Sequence, residues 1–170
     1  NMGERFGYYI MNAVLALFLC SKFGLAEGQA GLIYSIFYAG IYILSLVGGL
    51  IADKTQNYKG TIMTGLAIMA SGYVILSIPV LATPQNSSFL LTVTCLALFL
   101  IAFGNGLFKG NLQAIVGQMY DNFEAEEAKK GEEALAIAKD KRDSGFQIFY
   151  VFINVGGVVA PFVAPLLREW

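Results

Sequence analysis

The sequence predicts an all-α integral membrane protein. Three observations carry the prediction. Only 14% of the 170 residues are charged, against 56% hydrophobic, where soluble domains carry about 25% charged residues. The charges are clustered, leaving 28–52, 60–108 and 144–167 with none. A helix needs about 20 mostly apolar residues to cross a bilayer, and each of these runs is long enough.

The elements follow in order. Residues 1–23 form a first apolar stretch, and 28–54 a second. The run from 60 is long enough for two crossings and is interrupted by "TPQNSS" at 83–88. It therefore divides into helices at about 60–82 and 88–119. A fifth helix is expected at about 143–167. Between the last two lies "DNFEAEEAKKGEEALAIAKDKRD", so 120–142 reads as a charged, partly helical connection. Glu126 and Lys130 are four apart and could pair there, while Gly131 would weaken a helix in the middle.

The lysines and arginines orient the chain, because they concentrate on the cytoplasmic side. With a cytoplasmic N-terminus, Lys54, Lys59, Lys129, Lys130, Lys139, Lys141 and Arg142 lie inside, and only Lys22 and Arg168 outside. The expected location is a cell (inner) membrane. The chain reads as a fragment of a longer, transporter-like protein.

Several chemistries are disfavoured. There is no histidine, which removes the commonest general base and metal ligand. Cys20 and Cys95 fall within predicted spans and read as small apolar residues. No enzyme activity, metal, cofactor or nucleic-acid partner is expected. "GNGLFKG" at 104–110 resembles a phosphate loop only superficially, since no strand precedes it.

The polar residues of the spans form stripes. At about 100° per residue, Asn1, Glu4, Arg5, Tyr8, Tyr9 and Asn12 share an arc of roughly 140°. Charges inside a span face a bundle interior or a wet cavity. Helix 2 has Tyr34, Tyr38, Tyr42 and Ser45. Helix 4 has Asn105, Lys109 and Gln113 at spacing of four, with Ala102, Gly106 and Gly110 recurring similarly as a close-packing stripe. Helix 5 has Gln147, Tyr150 and Asn154. Helix 3 lacks such a stripe and is expected at the periphery. The pattern suits a shared polar cavity, hence a transporter; a channel or membrane enzyme has a weaker basis.

Four segments then resemble one family. "ERFGYY" (4–9), "GGLIADK" (48–54), "FGNGLFKGN" (103–111) and "FYVFINVGG" (149–157) are similar, in order, to signatures of the proton-coupled oligopeptide transporters of the major facilitator superfamily. The resemblance implies a twelve-helix fold, of which this chain is helices 1–5 of the N-terminal six-helix bundle, an N-terminal fragment with the C-terminal half of the same transporter missing. It implies a symporter of di- and tripeptides with protons, working by alternating access in the lipid bilayer. A same-fold transporter of another small anion or metabolite is the alternative.

By that resemblance Arg5, Tyr9, Tyr42, Lys109, Tyr150 and Asn154 bind the peptide, and Asp53 gates. Arg5 and Lys109 suit a carboxylate, Asn154 an amide, and the tyrosines varied side chains. Proton coupling is expected of Glu4, Arg5 and Lys109. Two positions depart from the family pattern: Asn1 replaces a glutamate and Gly110 a proline. Asn1, Glu4, Arg5 and Lys109 then sum to +1. Arginine holds its proton, so Lys109 is the expected carrier, with Glu4 as the alternative.

Overall fold

The computed structural model describes residues 2–168; Asn1, the site of the first family departure, lies outside them. Helices account for nearly all of these residues: α1 (Met2–Phe23), α2 (Glu27–Thr55), α3 (Tyr58–Ser77), α4 (Ser87–Glu127) and α5 (Glu132–Arg168), with a 3₁₀ turn at Ala128–Lys130. All five are long and apolar enough to cross a membrane, and no strand occurs among the described residues.

Local chemistry sets the ends. α1 stops at Gly24, whose φ of 63° is the left-handed conformation that glycine tolerates; its N–H reaches the Cys20 carbonyl at 2.9 Å. Gln29 Oε1 accepts the Ala26 N–H at 3.3 Å at the start of α2. Asn57 caps α3, its Oδ1 accepting the Gly60 N–H at 2.9 Å.

Three boundaries differ from the sequence reading. α3 ends at Ser77 rather than about 82, because Pro79 drives Ile78 into the extended region. The stretch 120–142 is helical except at Gly131: α4 runs on to Glu127 and α5 starts at Glu132. Its Glu, Ala and Lys content favours helix, and the break falls where Gly131 takes φ 130°. The tighter 3₁₀ turn also pairs Lys130 with Glu127 at 2.6 Å, three residues back, instead of Glu126.

The chain divides into two compact units: one from residues up to Ala16 and from Val116 onward, the other Leu17–Ile115. In the second, α4 is clasped between α2 and α3. A methyl on Gly104 would stand 2.5 Å from the Gly65 carbonyl oxygen of α3, and one on Gly106 would stand 2.6 Å from the Leu44 carbonyl of α2. Gly48 meets the Gly106 carbonyl, and Gly72 meets Ile101. Gly104 and Gly106 are two residues apart, hence on opposite faces. Small residues that let backbones touch are how membrane helices associate. Here they come from α3 as much as from α2, so α3 is an integral wall of this unit.

In the first unit, Gly156 and Gly157 of α5 receive α1. A methyl on Gly156 would lie 2.7 Å from the Met2 carbonyl oxygen, and one on Gly157 would lie 3.2 Å from the Tyr9 ring. Further along, the end of α4 and the start of α5 are joined by Arg142, whose guanidinium pairs with Asp121 at 2.7 Å and Glu124 at 3.3 Å.

Candidate functional site

In the second unit the polar group is built on the facing sides of α2 and α4. Lys109, half-buried, places its ammonium 4.5 Å from the centre of the Tyr42 ring. A cation over an aromatic face gains about 0.5–2 kcal/mol, more when desolvated. The Tyr42 hydroxyl lies 3.1 Å from that of Tyr38, and the Tyr38 ring stacks on Tyr34 at 6.2 Å. The four-residue spacing of these tyrosines puts them on one face of α2. Tyr42 remains 53% exposed.

Two asparagines of α4 do other work. Asn105 is fully buried, with its amide nitrogen 3.9 Å from Met69 Sδ on α3. Asn111, also buried, donates through Nδ2 to the carbonyls of Gly48 at 3.1 Å and Leu107 at 2.8 Å. It thus ties α2 to α4. α4 stays helical through Gly110.

Asp53 is exposed near the end of α2. Tyr58, the first residue of α3, donates its hydroxyl to Asp53 Oδ1 at 2.6 Å. Gln56, in the left-handed conformation, donates to the Asp53 carbonyl, also at 2.6 Å. The carboxylate is therefore held across the α2–α3 turn. Sequence reasoning passed over Tyr58, because its approach to Asp53 depends on the chain reversal at Gln56, which spacing alone does not reveal.

In the first unit, Arg5 Nε lies 2.8 Å from Glu4 Oε2, and both side chains are more than nine-tenths buried. Tyr8 is buried too, its ring 5.9 Å from the Arg5 guanidinium carbon. Tyr9 packs edge-on against Tyr8 at 5.5 Å and rests on Gly157. A buried ion pair is costly unless its geometry and hydrogen bonds are good, which makes it a marker of function within a span. Tyr150 and Asn154 lie one turn apart on α5 and both are exposed. The structure thus brings Glu4, Arg5 and Tyr9 together against α5, and separately Lys109 and Tyr42 together across α2 and α4. Among the described residues, no cluster of three or more His, Cys, Asp or Glu could hold a metal.

A helical integral membrane protein with charges inside its spans is the class these features define. Residues 59–170 match the model of the POT family. The chain belongs to that family. It is 35% identical over 167 residues to the di-/tripeptide transporter of Lactococcus lactis subsp. cremoris, covering 94% of this chain and 29% of the relative. Similarity extends to dipeptide and tripeptide permease B of Edwardsiella piscicida, 31% identical over 99% of this chain and 30% of the relative. Permease A of Chromobacterium violaceum is 30% identical over 98% of this chain and 29% of its own length. The chain spans under a third of the length of these relatives.

Proposed function

We propose that this chain supplies the first five helices of a proton-coupled symporter of di- and tripeptides. The observation that carries the reading is a pair of cations inside apolar helices: Arg5 buried beside Glu4, and Lys109 over Tyr42. Intramembrane charges mark substrate and ion pathways. The names of the relatives, di-/tripeptide transporter and permease, support the substrate class.

The chemistry of each group suits part of a short peptide. Arg5 and Lys109 complement a terminal carboxylate. Asn154 can both donate to and accept from a peptide amide. Tyr9, Tyr42 and Tyr150 offer flat apolar surfaces with a hydroxyl at one edge, tolerant of many side chains. On this reading all six serve peptide binding. Glu4, Arg5 and Lys109 form the charge balance that a proton adjusts, and Asp53 helps to gate. The two halves of the complete transporter rock around the site to give alternating access. The membrane is the cell (inner) membrane, with the N-terminus cytoplasmic.

The test is uptake of a labelled dipeptide by the full-length protein in vesicles, with and without an inward proton gradient. Saturable accumulation that collapses with the gradient is the expected result. Accumulation indifferent to the gradient would remove proton coupling. Absence of peptide uptake alongside uptake of another small anion would replace the substrate.

A further inference from the structure

In the first unit, the end of α4 and the start of α5 form an open cavity of about 430 Å³. Met119, Phe123 and Ile148 give it apolar walls, while Tyr120, Lys141 and Ser144 supply polar groups. We propose that this cavity is a binding site for one anionic phospholipid, the phosphate meeting Lys141 and an acyl chain lying along Met119, Phe123 and Ile148.

The place of the cavity in the sequence sets its depth. α4 carries no charged residue between Lys109 and Asp121, and α5 none from Ser144 to Leu167. The cavity therefore straddles the level at which two membrane helices pass from charge-free to charged sequence. That is the headgroup level, where tyrosine and lysine are favoured. Met119 and Ile148 are 59% and 58% exposed. At this depth hydrocarbon can cover them.

Charge distribution selects an anion. The Lys141 ammonium stands 5.5 Å from the centre of the Phe123 ring. Among the described residues it has no carboxylate within ion-pair distance, since Asp121 and Glu124 are engaged by Arg142 and Glu127 by Lys130. Lys141, Ser144, Gly145 and Ile148 follow the i, i+3, i+4, i+7 spacing of one helix face. Asp140 and Asp143 are displaced from Lys141 by about 100° and 160° around α5, so their carboxylates leave from other faces. The cation faces the cavity and the acids do not.

Gly145 shapes the site. Any side chain there would collide with the Tyr120 hydroxyl. The absence of a Cβ brings the tyrosine against α5, with its ring 6.3 Å from Phe146. A basic, aromatic-walled recess between membrane helices at the charged boundary is the type of site that takes a lipid headgroup. The proposal does not depend on what the transporter carries.

The test uses the full-length protein in phosphatidylcholine bilayers containing a minor fraction of phosphatidylglycerol. Photoactivatable phosphatidylglycerol or phosphatidylcholine is added as the probe, and cross-linked peptides are mapped by mass spectrometry. The phosphatidylglycerol probe should label the peptides around 119–123 and 141–148 about fivefold more than the phosphatidylcholine probe, the factor one lysine is worth at an anionic surface. Lys141→Gln should abolish the preference, whereas Lys141→Arg and Lys139→Gln should retain it. Equal labelling by the two probes, or a preference that survives Lys141→Gln, overturns the proposal. Loss of labelling on adding inorganic phosphate would assign the site to a free anion instead. No labelling by either probe would mean that protein covers the cavity, which also refutes it.

Discussion

Lys109 and Tyr42 come from different helices, yet the ammonium sits 4.5 Å from the ring centre. The contact separates two roles that a tyrosine can play, because the hydroxyl points away to Tyr38 at 3.1 Å. If the aromatic face is what holds Lys109 for the substrate, Tyr42→Phe keeps the essential part and Tyr42→Leu discards it. On the proposed function, the half-saturating peptide concentration for the full-length protein should change little in the first variant. In the second it should rise by up to about tenfold, within the range of one cation–π contact. Equal losses in both would shift the role to the hydroxyl.

Removing the cation itself tests coupling. On the proposed function, Lys109→Gln retains a site that peptide can enter but loses the charge whose balance the proton adjusts. Accumulation against a gradient should disappear, while exchange of labelled for unlabelled peptide across the membrane continues. If the variant still concentrates peptide, coupling resides elsewhere, and Glu4 beside Arg5 is the next group to neutralise.

Packing makes a prediction that needs no transport assay. A methyl added at Gly106 would stand 2.6 Å from the Leu44 backbone, whereas one at Gly49 meets nothing within 4 Å. Gly106→Ala forces α2 and α4 apart, and overpacking of this kind costs about 1–3 kcal/mol. Its unfolding midpoint in detergent should fall clearly below wild type. Gly49→Ala should leave it unchanged or raised, because alanine is the better helix former. A Gly106→Ala protein as stable as wild type would mean that the helices yield at that crossing.

These glycines also show what the sequence could reveal. The five membrane helices were legible, because bilayer thickness dictates a length of apolar sequence that no soluble context requires. The polar stripes were legible for the same reason, each intramembrane charge needing justification. Which glycine carries a crossing was not. Ala102, Gly106 and Gly110 share a spacing of four, yet a methyl on Gly110 would meet only the Ser45 carbonyl oxygen, at an ordinary 3.4 Å. Gly104, outside that series, is a tight contact with α3. Periodicity identifies a face but not the neighbour that occupies it. Asn105 illustrates the same limit: it shares the spacing of Lys109, and the structure buries it toward Met69. The end of α3 was readable in principle, since Pro79 stands two residues beyond Ser77.

The Asp53–Tyr58 hydrogen bond, 2.6 Å long, offers a way to perturb the proposed gate without removing its carboxylate. Both groups are near the surface, so water replaces part of what the bond supplies, and the fold should survive Tyr58→Phe. If the bond steadies one conformation of the transport cycle, the variant should alter maximal uptake rate by less than about tenfold, the low end of what one charge-assisted bond is worth. Peptide affinity should stay the same. A changed affinity at constant rate would place Asp53 in recognition. No change in either would leave the bond a structural clasp of the α2–α3 turn.

α4 is unbroken from Ser87 to Glu127, 41 residues, and so is about 60 Å long. The hydrocarbon core is about 30 Å thick, so α4 must cross it and project well beyond. The projecting part is the charged one, from Asp121 onward, since charges at the bilayer centre are costly. Its two ends therefore emerge on opposite sides, and on the proposed orientation the second end, which leads into the lysines of 129–141, is the cytoplasmic one. Labelling should use cysteines at Gln85 and Lys130 in a background lacking Cys20 and Cys95. Gln85 is preferable to Asn86, whose Oδ1 closes the turn by accepting the Thr83 N–H at 2.7 Å. An impermeant thiol reagent added to intact cells should modify position 85 and spare position 130 until the membrane is opened. The reverse pattern would invert the proposed orientation, and modification of both from outside would contradict a membrane-spanning α4 altogether.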